Sequence, residues 1–296
     1  MFQGSLVALV TPFDDNNRVD YASLKGLIEF HVVAGTDGLV IAGTTGEAAT
    51  LTREEHVDLI RRAVEIVDGR MPVIAGTGSN STQQTIELSL EVADCGIDGY
   101  LTVVPYYNKP MQEGMYQHFT AIADAVQKPV MLYNVPGRTV ADMQPETVAR
   151  LARHGNIVAI KEATGDIDRL RAMQTLIDDE FGYFSGDDFT ALAFLETGGH
   201  GIVTVSGNVV PKAITTLCKL VRSGQLDEAR ALDTSLQPLN DALFVESNPI
   251  PVKWALHEMG LIPQNLRLPL TCLDKQYHQQ MRAALSQAGV NLENVA

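Results

Sequence analysis

The stretch NIVAIKEATGD, residues 156–166, sets four apolar residues, Ile157, Val158, Ala159 and Ile160, directly before Lys161 and Glu162. An unbroken apolar run of this length reads as a strand buried on both faces, the kind a parallel sheet uses. Seven similar runs recur: LVALVTPF (6–13), GLVIAGT (38–44), PVIAGTG (72–78), GYLTVVP (99–105), PVMLYNVP (129–136), FGYFSGD (181–187) and HGIVTVSG (200–207). Amphipathic segments separate them. In REEHVDLIRRAVEIVDG (53–69), Val57, Ile60, Val64 and Val67 fall at helical spacing, and Thr52 with Glu55 forms a capping-box pattern. Eight strands alternating with helices, at the ~30-residue pitch of a βαβ unit, predict a (β/α)8 barrel. The alternative, a doubly wound open sheet, lacks its fingerprint: GTGSNS (76–81) has Ser81 where a third glycine belongs. Helical segments near 211–222, 225–242, 250–259 and 275–288 predict the last barrel helix and a C-terminal helical extension. The expected division is a barrel domain over 1–224 and a helical domain over 225–296, with ESNPIPVKW (246–254) as a turn before a helix.

The composition fits one large barrel: 296 residues, 45% apolar and 20% charged. A net charge of -14 argues against nucleic acid or an anionic membrane as partner, since both need a basic face. A small anionic substrate is still compatible, because a pocket can be locally positive inside an acidic protein. Cys95, Cys218 and Cys272 are odd in number and far apart, offering neither a disulfide framework nor metal spacing, which fits a reducing cytosol. The opening MFQGSLVALVTPF has no basic leader region, and no run approaches the ~20 apolar residues of a membrane span. A soluble, cytoplasmic protein is expected. His31, His56, His118, His154, His200, His257 and His278 form no HxH or HExxH pattern, so a metal site is not expected. GGHG (198–201) reads as a turn before the last strand, and Trp254 as core.

Barrel enzymes work at the C-terminal ends of their strands. The polar residues unusual for a strand gather there: Thr44, Thr45, Tyr106, Tyr107, Tyr133, Lys161, Asp187 and Asp188. Strand parity puts Ile157 and Ala159 on the face of Lys161, and Met131 on that of Tyr133. One βα unit separates Tyr133 from Lys161, so a phenol and an amine are expected to meet at the barrel rim. The ordinary fate of a strand-end lysine is an ion pair with Glu162 or a loop aspartate, but Glu162 should point to the opposite face. Burial favours the free amine over the ammonium, and a desolvated amine is what a Schiff-base nucleophile requires. GTTGEAAT (43–50) offers amides and hydroxyls for an anion, although a plain βα turn has the same composition. Beside an amine nucleophile, such a nest suits an α-keto acid. Arg138, in the loop YNVPGRT (133–139), is suited to a second carboxylate, while the tyrosines of PYYNKP (105–110) read as spacers or interface anchors.

Together, GLVIAGTTGEAATLTREE, YNVPGRT and VAIKEATGD resemble the dihydrodipicolinate synthase family of pyruvate-dependent class I aldolases. The likeness runs to about residue 270 through SLVALVTPF, PVIAGTGSNST, LTVVPYYNKP, SGDD and NPIPVKWAL. It implies a barrel with a C-terminal helical part, a homotetramer built from two tight dimers, and no metal or organic cofactor. It further implies that Lys161 forms an imine with pyruvate and that the derived enamine adds to aspartate-4-semialdehyde. Tyr133 matches the proton-relay tyrosine, Thr44 its hydrogen-bond partner, and Tyr107 the tyrosine that crosses into the neighbour's relay. Thr45 matches the holder of the pyruvate carboxylate, Arg138 the receiver of the aldehyde's carboxylate, and Gly186 with Val203 the lining of the pyruvate pocket. N-acetylneuraminate lyase and other keto-acid aldolases share the lysine, the tyrosine and the turn; Arg138 in its PGRT context separates the synthase from them. A non-catalytic keto-acid binder on the same scaffold is the third reading, opposed by an intact Lys161, Tyr133 and Thr44. Lysine-inhibited relatives have an effector site that maps to Ala49, His56, Asn80 and Tyr106. Here Ala48, Arg53 and Gln84 replace the usual Ser, His and Glu. Losing that carboxylate removes a charge-assisted contact of typically ~1.5–3 kcal/mol, and Arg53 adds a cation, so weak or absent inhibition by L-lysine is expected.

Overall fold

Eight parallel strands, β1 (Gly4–Ala8), β2 (Gly38–Ile41), β3 (Val73–Gly76), β4 (Gly99–Val103), β5 (Val130–Asn134), β6 (Ile157–Glu162), β7 (Gly182–Ser185) and β8 (Gly201–Thr204), pair in chain order and close when β1 meets β8. The computed structural model describes residues 2–177 and 180–292; the ends of both expected domains, residues 1 and 293–296, lie outside them. The sequence-predicted (β/α)8 barrel is the observed fold. Helices α1 (Tyr21–Ala34), α2 (Arg53–Val67), α3 (Thr82–Val92) and α4 (Gln112–Ala125) follow the first four strands. The one-turn α5 (Pro136–Thr139) and α6 (Pro145–Leu151) follow β5, then α7 (Ile167–Leu176), α8 (Ala191–Glu196) and α9 (Pro211–Arg222) complete the ring. Three further helices, α10 (Leu226–Leu243), α11 (Ile250–Glu258) and α12 (His278–Gln287), form the C-terminal part. None of the described helices is long and apolar enough to cross a membrane.

Strands buried on both faces divide the core into two shells. Leu6, Val40, Ile74, Leu101, Met131, Ala159, Phe184 and Val203 fill the barrel, while the opposite strand faces pack against the helices. The capping box of α2 is present: Glu55 donates its amide to Thr52 Oγ1 at 3.2 Å, and the Thr52 amide donates to Glu55 Oε2 at 2.9 Å.

Two local readings shift. The first apolar run predicts a strand over 6–13, but β1 begins at Gly4, whose amide donates to the His200 carbonyl at 3.0 Å. It ends at Ala8, because the Asn208 side chain then replaces the ladder, donating to the Ala8 carbonyl (2.8 Å) and accepting from the Val10 amide (3.1 Å). In β6 the register slips: Val130 pairs with Ile157 but Met131 with Ala159, so one extra residue bulges out. Ile157 therefore joins the outer core instead of the face of Lys161, and Val158 packs against the inner one. Above the bulge the alternation resumes, bringing Tyr133 and Lys161 side by side as paired residues.

Candidate active site

Lys161 is 6% exposed at the end of β6, its Nζ 4.3 Å from the centroid of the Tyr133 ring. Among the described residues it makes no ion pair. Glu162 has other partners on the outer face: Asn134 Nδ2 donates to its two oxygens at 3.3 and 3.1 Å, and Arg169 Nε lies 3.4 Å from Oε2. Burial pushes the Glu162 carboxyl up, with Arg169 opposing. Asn134 is paired with Glu162 as Tyr133 is with Lys161, so the polar clamp outside fixes the register of the reactive pair inside.

Gly186 lies behind the lysine. A Cβ there would sit 2.7 Å from Lys161 Cε and 2.7 Å from Ala163 Cβ, so a side chain would displace the nucleophile's own stem. Val203 is buried in the inner cluster beside Phe184 and Tyr133.

The mouth opens into a cavity of about 860 Å³ whose wall includes Thr44, Thr45, Tyr133, Arg138 and Lys161. In the 43–50 turn, the amides of Gly46, Glu47 and Ala48 are spent on the carbonyls of Gly43 and Thr44. Those of Thr44 and Thr45 donate to no described protein acceptor, which keeps two N–H groups for an anion. Arg138 is presented by the one-turn helix α5, where the sequence suggested a plain loop; Pro136 at its first position has the helical φ preset. The Arg138 guanidinium donates to the Asn248 carbonyl at 3.1 Å and makes no ion pair among the described residues. Of the charged groups on this wall, Glu47 is paired with Lys253, and Arg53 with Glu87 and Glu91. Lys161 and Arg138 are left without a carboxylate partner among the described residues, in a protein of net charge -14.

The sequence profile of the dihydrodipicolinate synthetase family matches residues 1–288. The chain belongs to this family. A 4-hydroxy-tetrahydrodipicolinate synthase from Pseudomonas aeruginosa is 54% identical over 290 residues, spanning 98% of this chain and 99% of its own length. The chloride-inhibited dihydrodipicolinate synthase from Acinetobacter baumannii, complexed with pyruvate, matches with a TM-score of 0.97 at 48% identity over 98% of this chain and 100% of the other. A dihydrodipicolinate synthase from Cyanidioschyzon merolae with lysine bound matches with a TM-score of 0.95 at 42% identity, over 98% of this chain and 99% of the other.

In this member of the dihydrodipicolinate synthetase family the expected site residues do not all meet. Thr44 lines the cavity with Tyr133, yet no hydrogen bond joins the two among the described residues. Tyr107 is 89% exposed, holds a left-handed φ of 72°, and is absent from the wall of its own chain's cavity. Ala49, Arg53, His56, Gln84 and Tyr106 line an outer lobe of the same cavity, while Asn80 stands aside and accepts from Asn108 Nδ2 through its carbonyl at 2.8 Å. Arg53, expected to add a cation nearby, lines the cavity and is ion-paired: its guanidinium reaches Glu91 at 2.6 Å and Glu87 at 3.8 Å. Asp187 and Asp188 brace loops: Asp188, fully buried, accepts from the amides of Val205 (2.9 Å) and Ser206 (3.0 Å), and Asp187 accepts from Thr190.

Sequence reasoning missed two residues, Asn248 and Lys253. Asn248 Nδ2 donates to Thr45 Oγ1 at 2.9 Å, and Lys253 is a second buried lysine, 2.5 Å from Glu47 Oε1. The signal for Lys253 was present in IPVKWAL, a lone cation inside an apolar helix.

Proposed function

We propose that this chain condenses pyruvate with L-aspartate-4-semialdehyde to 4-hydroxy-tetrahydrodipicolinate, through an imine on Lys161. The observation that carries this is a buried lysine without a carboxylate partner, stacked on a tyrosine and lining one cavity with Thr44 and Thr45, whose amides are free. Lys161 Nζ adds to the keto carbon of pyruvate and water leaves, giving the imine. Loss of a C3 proton gives the enamine, whose C3 attacks the aldehyde carbon. The product's own amine then attacks the former keto carbon, closing the ring and releasing Nζ. Tyr133 is placed to pass protons to and from the imine nitrogen and the departing water. Thr45 and the two free amides hold the pyruvate carboxylate; Gly186 and Val203 wall the pocket. The imine is itself the electron sink, so the chemistry calls for no metal or organic cofactor.

The exposure and left-handed backbone of Tyr107 suit a side chain that completes a neighbour's site, with Thr44 closing onto Tyr133 in that assembly. The proposed assembly is a homotetramer of two tight dimers in the cytoplasm, each chain a barrel over 1–224 braced by helices over 225–296. Turnover with pyruvate and aspartate semialdehyde, assayed beside N-acetylneuraminate, tests the reaction; turnover of N-acetylneuraminate alone would move the chain to the lyase branch.

Arg138, with its unpaired guanidinium, is assigned to the aldehyde's carboxylate. Arg138→Ala should raise the KM for aspartate semialdehyde about tenfold to hundredfold and leave that for pyruvate within about twofold. An equal rise for both substrates would place the arginine on the keto acid instead. In the outer lobe, Gln84 offers an ammonium no charge, and its Oε1 accepts from Ser79 Oγ at 3.2 Å. Titration calorimetry with L-lysine is expected to give a Kd weaker than about 1 mM. Binding in the low-micromolar range would restore an effector role to Ala49, Arg53, His56, Asn80, Gln84 and Tyr106.

A further inference from the structure

Lys253 has no part in the chemistry above, yet the fold buries it completely. Its Nζ lies 2.5 Å from Glu47 Oε1 and donates to the Thr11 carbonyl at 2.9 Å, over the face of Phe13. The other carboxylate oxygen of Glu47 accepts from the Arg267 amide at 3.0 Å. Glu47 follows Thr45 by two residues and has a left-handed φ of 54°, a conformation that non-glycine residues seldom adopt without a partner to hold them. The residue between is fixed as well, since Thr11 Oγ1 donates to the Gly46 carbonyl at 2.7 Å. Just ahead of α11, Asn248 holds Thr45 through its side chain and Arg138 through its carbonyl. The segment from 248 to 267 therefore grips the carboxylate-binding turn from outside the barrel at three residues, Thr45, Glu47 and Thr50, the last through Arg267 Nη1 at 2.9 Å.

We propose that Lys253 is a positioning residue for the condensation: through Glu47 it latches the 43–50 turn so that the Thr44 and Thr45 amides hold the carboxylate of the keto acid that Lys161 attacks. The inference rests on the pyruvate reading of the site. Burial pushes the Lys253 ammonium down and Glu47 opposes that, so an ammonium at this depth depends on its partner, and the pair spans 206 positions of sequence. A pair that serves stability alone would have no effect on pyruvate capture once the protein is folded.

The test compares Lys253→Met, Glu47→Gln and the doubly apolar Lys253→Met/Glu47→Leu with the wild-type chain, at a temperature where circular dichroism shows each folded. Lys253→Met should raise the KM for pyruvate and slow borohydride-trapped imine formation about tenfold to hundredfold, the scale of a small misplacement of a binding group. The double variant, which buries no charge, should recover the wild-type melting temperature and retain the pyruvate defect. Recovery of both together, or a folded Lys253→Met with wild-type pyruvate KM, would overturn the proposal. If Lys253→Met does not fold, Glu47→Gln decides, and a wild-type pyruvate KM there would overturn it too. Should the wild-type chain trap no pyruvate at all, the reaction assignment falls, and amide exchange at residues 43–50 then tests the latch. Lys253→Met should speed that exchange at least about tenfold, and an unchanged rate would overturn the latch on its own.

Discussion

Lys161→Ala is expected to remove all borohydride-trappable pyruvate from the protein and to lower kcat about 10³-fold or more. Among the described residues no other buried amine can substitute. Lys253 is buried too, but its Nζ is committed to a carboxylate and a carbonyl, whereas that of Lys161 lies over the Tyr133 ring and makes no ion pair among the described residues. Lys161→Arg should fail as completely, because a guanidinium stays protonated and cannot condense with a ketone. Mass spectrometry of the reduced protein reads the result directly: the wild-type chain gains one reduced pyruvate on the peptide containing residue 161. An adduct that survives in Lys161→Ala, or one mapped to another lysine, would remove the basis of the mechanism.

Tyr133→Phe separates the nucleophile from proton transfer. The substitution keeps the ring under Nζ and deletes only the hydroxyl, so the adduct should still form while kcat falls about 10²–10⁴-fold, the usual contribution of a positioned acid or base. Steady-state rates with both substrates, together with the time course of trapping, are the measurements. An unchanged kcat would mean that water or another group moves the protons. Loss of the adduct altogether would mean that Tyr133 is needed to place the lysine rather than to serve it.

Both variants concern residues that were legible in the sequence, and the reason is local. The alternation of short apolar runs with amphipathic segments marks a barrel, and a lysine ending such a run stands out against its own strand. Parity placed Met131 with Tyr133 and Ala159 with Lys161 correctly. It failed at Ile157 because a bulge, which leaves no trace in a four-residue apolar run, resets the phase of β6. The Glu47–Lys253 pair was unreadable for a different reason. Its partners are joined only by the way the C-terminal helices fold back over the mouth, and nothing in either local sequence names the other. The partners of Arg53 were unreadable in the same way: its charge was visible, but the carboxylates of Glu87 and Glu91 that pair with it sit on the next helix.

The Arg138 guanidinium at the mouth, without an ion-pair partner among the described residues, has a consequence for how substrates arrive. With a body of net charge -14, an incoming pyruvate monoanion is pushed away as long as it senses the whole molecule. Only within roughly 8 Å, the screening distance at physiological salt, does the local field of Arg138 prevail over the rest. Such an enzyme gains nothing from electrostatic steering across solution; its selectivity for small carboxylates is exercised at the threshold.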